Sequence, residues 1–329
     1  MRDTNRRSLL SSTLLVVFLS LGISLGAPSQ ATVSQPSALP FTLKPLGHNV
    51  YAAIDDAKGD AGANAGFVIG DDGVLVIDTF ENESAAKQLL AEIRKLTKLP
   101  IKFVVNTHYH LDHVAGNAVF EQAGAAVLAQ RNVFHWIHTE NLKFFGKNIK
   151  PEQQSMVEAL AAPKVLYDSG VQLVLGSREI VVHVFPGHTG GDSVVMIPDA
   201  KVVFCGDLFW RKTLPNLIDA STEVWMETLE DLQTPAPSPA VIYVPGHGDP
   251  GDFHDVEDFR SYLADLRGLV KKQIKEGKTG DDLVNAVMST LKEKFGKWNF
   301  FDYFAKPNIG DAEAELRGTK KIPQPAVGP

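Results

Sequence analysis

The sequence predicts a layered α/β domain, and three observations predict it. Apolar or alternating runs of strand length recur along the chain. An amphipathic stretch at helical spacing separates two of them. The histidines and aspartates with chemical potential follow the ends of these runs. Turns at one end of the strands are where a rigid scaffold commonly presents its chemistry. The 329 residues are 44% hydrophobic and 22% charged, which supplies apolar material for a sizeable core. A net charge of -7 gives no electrostatic footprint for a nucleic-acid backbone, so nucleic acid is not an expected partner. Cys205 is the single cysteine, so no intrachain disulfide can form and the core, with any bound metal, must carry the stability.

The elements follow in order. "MRDTNRRSLLSS" is basic, "TLLVVFLSLGISLG" is apolar but short for a membrane span, and "APSQA" offers small residues for cleavage. Residues 1–31 are therefore expected to be a signal peptide, and Arg6-Arg7 before Ser-Leu-Leu resembles a twin-arginine signal. Residues 32–40, "TVSQPSALP", read as a linker. A main domain is expected over 41–265. It begins with strands in "NVYAAID", "AGFVIG" and "GVLVIDT", the last two joined by an Asp-Asp-Gly hairpin signal. "ESAAKQLLAEIRKLTKLP" is a helix with a proline stop, "IKFVVNTH" a buried strand and "NAVFEQAG" a helix. Residues 131–168 form a helical insertion with Phe134, Trp136, Phe144 and Phe145, either packed on the core or walling a cleft. Further strands follow in "GVQLVLG", "REIVVHVFP", "SVVMIPDAKVVFCGD" and "AVIYVPGHG". Residues 266–329 are expected to be a small C-terminal helical appendage. Its aromatic cluster "KWNFFDYF" should dock on the main domain or shape a pocket edge, and its tail should be disordered.

The stretch "NTHYHLDHVAGN" carries the densest chemistry: His108, His110, Asp112 and His113 on one turn after a strand. His188 in "FPGHTGGD" and His247 in "VPGHGDP" also follow strands, and Asp207 lies in "FCGDLF". Five imidazoles and two carboxylates without a thiolate suit zinc or another first-row divalent ion. Three ligands leave a coordination position open for water, and seven suffice for two ions. A lone histidine such as His48, His135 or His254 is more simply a surface or capping residue.

With these motifs in this order, the chain resembles the metallo-β-lactamase superfamily over roughly residues 45 to 265. The resemblance implies an αββα four-layer sandwich. Asp78 in "VLVIDT" matches the family's first motif, a carboxylate beneath the metals. By the same resemblance His108, His110 and His188 hold one ion, Asp112, His113 and His247 hold a second, and Asp207 bridges them. Zinc is implied over iron, because diiron relatives usually carry Glu at the position of His110 and fuse to a flavin domain. The run "GDLFWRKTLPNLIDASTEVWMETLEDL" is similar in spacing to the cysteine-bearing metallo-β-lactamases. It departs from them in having Asp207 for Cys, His113 for a non-histidine and Trp210 for the lysine that grips a β-lactam carboxylate. Asp207 and His113 match general hydrolases of the glyoxalase II type.

The implied function is an exported binuclear zinc hydrolase that cleaves an ester, thioester, lactone or lactam through a metal-bound hydroxide. Asp112 would orient the nucleophile and Asn216 would contact the oxyanion. Alternatives are a true antibiotic-hydrolysing lactamase and a non-hydrolytic metal or redox protein on the same fold. The partner is a small-molecule substrate, in the periplasm or outside the cell. No membrane insertion is expected after signal removal, and oligomeric state is left open.

Overall fold

Alternation along the early strands decides the layering. In the computed structural model, which describes residues 38–56, 58–233 and 240–325, β3 (Ala65–Ile69) turns Phe67 to one face and Val68 to the other. Likewise β4 (Val74–Ile77) sends Val74 and Val76 one way and Leu75 and Ile77 the other. Both faces are apolar, so both must be covered. The expected signal peptide and most of the expected linker lie outside the described residues, as do residues 326–329.

The first sheet takes its strands in chain order. β1 (Phe41–Gly47), β2 (Val50–Asp55), β3 and β4 pair antiparallel, and β5 (Ile101–Val105), β6 (Ala126–Gln130) and β7 (Val165–Tyr167) continue parallel. Parallel pairs need a crossover. Between β4 and β5 it is α1 (Glu83–Leu96), capped by the Asn82 side chain and buried through Ala85, Ala86, Leu89 and Ile93. Leu89 and Ile93, removed entirely from solvent, each contribute about 1.5–3 kcal/mol. Between β5 and β6 the chain forms α2 (Leu111–Val114) and α3 (Asn117–Gln122).

The second sheet runs β12 (Ile242–His247), β11 (Val202–Trp210), β10 (Ser193–Ile197), β9 (Arg178–Val184), β8 (Gly170–Leu175). Only β11 and β12 are parallel in it, joined through a crossover containing α6 (Thr222–Asp231). Val68, Leu75, Ile77 and Val105 of the first sheet meet Ile180, Val182, Val195 and Phe204 of the second in one core. α1 and α3 cover the outer face of the first sheet. α6, α7 (Phe253–Lys275), α8 (Gly280–Phe295) and α9 (Phe301–Leu316) share a core with Leu208 and Phe209 of β11. The order is αββα. α7 carries the chain across residues 265 and 266 without a break, because Tyr262, Leu263, Leu266 and Val270 continue one buried side.

The insertion comprises α4 (Arg131–Trp136), a 3-10 segment at Glu140–Asn148 kinked at Gly146, and α5 (Pro151–Glu158). Among the described residues, no helix is long and apolar enough to cross a membrane. The ends of β4, β5, β11 and β12 and the β9–β10 turn lie along one edge, and the candidate residues collect there.

Candidate metal centre

The site starts from a strained residue. Asp78, one position past β4, has φ of 55°, a left-handed conformation that costs a non-glycine residue of order 1–3 kcal/mol. Three hydrogen bonds hold it there. Thr107 N and Oγ1 each donate at 2.7 Å, and His113 Nδ1 lies 2.8 Å from Oδ2. The turn "NTHYHLDHVAGN" is closed at its two ends by a reciprocal amide pair, Asn106 and Asn117, each donating to the other at 2.9 Å. Thr79 Oγ1 adds a third bond, to Asn117 Oδ1. Neither asparagine was singled out by the sequence reading, because an amide inside a histidine motif carries no signal of its partner.

The seven predicted ligands converge in two groups. His108, His110, His188 and Asp207 form one; Asp112, His113 and His247 form the other, and ligand atoms within each group lie within 4.8 Å. Asp207 faces both. Its Oδ2 is 3.2 Å from His188 Nε2 and 3.8 Å from His108 Nε2, and its Oδ1 is 3.0 Å from His113 Nε2 and 3.5 Å from His247 Nε2. Asp112 Oδ2 stands 3.3 Å from His247 Nε2. Gly246 makes room for this carboxylate, since a Cβ there would lie 1.9 Å from Asp207 Oδ1.

Charge and burial fit divalent ions. Nε2 of His108, His113 and His247, with Oδ1 of Asp207, is buried with no partner in hydrogen-bond geometry. Such orphaned atoms are rare in folded proteins, and a divalent cation in each of the two groups would satisfy all four. Burial pushes the His108 imidazole well below its ordinary range, aided by His113 and His110, which favours the neutral ligand form. At His247 burial is outweighed by Asp207 and Asp112, which raise it to about 9. Burial would also raise Asp207, but His113, His247 and His108 hold it well below the usual carboxylate range. All donors are nitrogen or oxygen, the set that suits zinc and its first-row neighbours.

One carboxylate was missed. Asp219, inside the "NLIDA" run, is buried with Oδ2 3.7 Å from His110 Nε2. Tyr109 donates its hydroxyl to the same oxygen, and Lys143 Nζ donates to Oδ1 at 3.0 Å. Burial would raise Asp219, but His110, Tyr109 and Lys143 hold it low. Asn216 borders the cavity, and its Oδ1 accepts from Ile218 N at 3.0 Å. Trp210 lies nearly flat on His247, ring centroids 3.9 Å apart, and donates Nε1–H to Asp207 O. Arg211 turns away to Asp255 at 2.9 Å.

A cavity of about 490 Å³ opens over both groups. Phe144 and Phe145 from the insertion form one wall, and Phe300, Tyr303 and Phe304 from the C-terminal region form the other. The insertion's aromatics therefore divide. Phe144 and Phe145 face the cavity, Trp136 packs edge-on against Tyr109 in the core, and Phe134 is exposed. The charged lining residues, apart from histidines, are Glu81, Asp112 and Asp207, so no lysine or arginine is among them.

Comparison with known proteins gives the family and the fold. A sequence profile of the metallo-beta-lactamase superfamily matches residues 59–247. A linear primary-alkylsulfatase of Pseudomonas sp. is 25% identical over 257 residues, covering 66% of this chain and 48% of that protein. A hydroxyacylglutathione hydrolase of Brucella ovis is 28% identical over 134 residues, covering 40% of this chain and 43% of that protein. The chain thus spans about half the length of the curated relatives it matches. Among solved structures, a metallo-beta-lactamase from Pontibacter korlensis superposes with a TM-score of 0.57 at 24% identity, covering 68% of this chain and 99% of that one, which establishes the shared fold.

Proposed function

The chain belongs to the metallo-beta-lactamase superfamily, and from that premise we propose that it is a binuclear zinc hydrolase of neutral, apolar esters, thioesters or lactones. The observation that carries this reading is the cavity: ligand imidazoles on its floor, aromatic rings on both walls and no cation to grip an anionic substrate. His108, His110 and His188 would hold one ion, Asp112, His113 and His247 the other, with one oxygen of Asp207 toward each. When bound, the ions supply a water of lowered pKa and polarise the scissile carbonyl.

The chain's own groups do the rest. Asp112, whose side chain is 27% exposed, is far less buried than the other ligands of its group, and it orients the attacking water and holds its proton. Asn216, with Oδ1 already occupied by Ile218 N, turns its amide hydrogens to the developing oxyanion. The aromatic walls exclude water and position the apolar part of the substrate.

A β-lactam fits less well. Trp210 lies where the lactamase lysine would stand, and one charge-assisted contact is worth roughly 1.5–3 kcal/mol, on the order of tenfold to a hundredfold in efficiency. A primary alkyl sulfate is the second reading, favoured by the alkylsulfatase relative and by the apolar walls. Steady-state kinetics of the zinc-loaded chain on neutral p-nitrophenyl esters, a lactone, hydroxyacylglutathione, a primary alkyl sulfate and a penicillin separates these readings. The neutral esters or lactone should lead, and penicillin turnover at or above theirs would overturn the assignment. Zinc content with a featureless visible spectrum would set aside the redox alternative. Export rests on Arg6-Arg7, and replacing both with Lys should leave the chain in the cytoplasm.

A further inference from the structure

Two lysines from opposite additions to the fold meet at one short loop. The loop Asn216–Ala220 carries Asp219, whose carboxylate faces His110 Nε2. On one side Lys143, from the 3-10 segment of the insertion, donates to Asp219 Oδ1. On the other, Lys320, beyond the end of α9, donates to Leu217 O at 2.5 Å and to Ala220 O at 2.7 Å. These two carbonyls flank Asp219 in sequence. Burial pushes the Lys320 ammonium down, and its hydrogen bonds go to backbone carbonyls, an arrangement whose use is to fix the chain it touches.

The same end of the chain holds the neighbouring backbone. Asn308 donates to Pro215 O at 2.9 Å, and Thr222 N and Oγ1 donate to Glu315. Farther on, Gln324 O accepts from Trp136 Nε1 of the insertion. The tail thereby runs from α9 past the loop to α4 as a strap. Among its described residues none lines the cavity, so its effect on chemistry passes through the loop Asn216–Ala220, which carries Asp219.

Resting on the metal reading above, we propose that Lys143 and Lys320 are positioning residues of the metal centre. Together they hold Asn216–Ala220 so that Asp219 fixes the His110 ring in its ligand orientation. A carboxylate behind a ligand histidine sets that ring's tautomer and angle, and disturbing it commonly weakens metal affinity about 10–100-fold.

The test titrates the metal-stripped full chain with zinc against a chromophoric chelator, for wild type, Lys143→Met, Lys320→Met and Lys320→Arg. Lys294→Met, which breaks an exposed pair with Asp265, is the control. One zinc equivalent should weaken about tenfold in both Met variants while the other holds. Lys320→Arg, which keeps donors for both carbonyls, should recover most of the loss. In the metal-free protein, amide exchange at 217–220 should quicken in Lys320→Met and stay unchanged elsewhere. Wild-type affinity for both equivalents with unchanged exchange would overturn the proposal, as would equal loss at both sites with faster exchange throughout the chain. If wild type binds no zinc, the functional reading fails, and exchange at 217–220 alone decides the positioning role.

Discussion

At the scale of single residues, the site depends on side chains that leave no room for substitution. Gly246→Ala would put a methyl group into the space of Asp207 Oδ1, so zinc affinity by chelator competition should fall tenfold or more while far-ultraviolet dichroism is kept. Asp192, buried after the His188 turn, is pushed up to about 7 by burial, against the bonds it accepts from Thr189. Its folded value lies above the unfolded one, so its contribution is fully present below pH 4 and is lost as pH rises through 7. The melting temperature of the metal-free chain should therefore fall between pH 5 and pH 8, and by less in Asp192→Asn. The seven candidate ligands could be picked out in the sequence because their residue types recur at ligand spacing, and the structure brings them into two groups. Asp219 was not, because one carboxylate in an apolar loop gains its meaning only when Tyr109, 110 positions away, and Lys143 meet it.

Individual elements were legible where local patterning and packing agree. α1 shows this: an asparagine cap, buried residues at helical spacing, basic residues in the last turn. Leu89→Ala should cost about 2–5 kcal/mol in chemical denaturation, with the slope unchanged. The insertion resisted the same treatment. Phe144 and Phe145 are adjacent and both face the cavity, an outcome of the 3-10 course and the kink at Gly146 that α-helical periodicity cannot anticipate. Phe144 also meets the His110 ring edge-on with centroids 4.9 Å apart. Phe144→Ala should therefore raise KM for long-chain neutral esters about tenfold, and less for an acetate ester, in a chain-length series.

Over the whole molecule, strand-length runs separated by a helical stretch predicted a layered α/β domain, but the order of layers came from family resemblance. Long-range pairing is what patterning omits: β11 beside β12, and both sheets contributing to one edge. Seven candidate ligand groups drawn from several elements of both sheets would make metal binding a linkage across the fold. At a hundredfold excess over the dissociation constant, one ion adds about 2.7 kcal/mol. Stripping it should lower the melting temperature by roughly 4–5 °C, measured by calorimetry with and without chelator.

The rings packed against the ligands also make the centre an optical instrument. Of four tryptophans, Trp225 lies 5.2 Å from the His188 ring, while Trp210 lies 3.9 Å from the His247 ring and 6.1 Å from that of His188, so it borders both ligand groups. Ultraviolet emission from the unlabelled protein should dim in two steps as cobalt is titrated into the metal-free chain. A Trp210→Phe variant should lose the step that belongs to His247, so the order in which the two positions fill can be read as light.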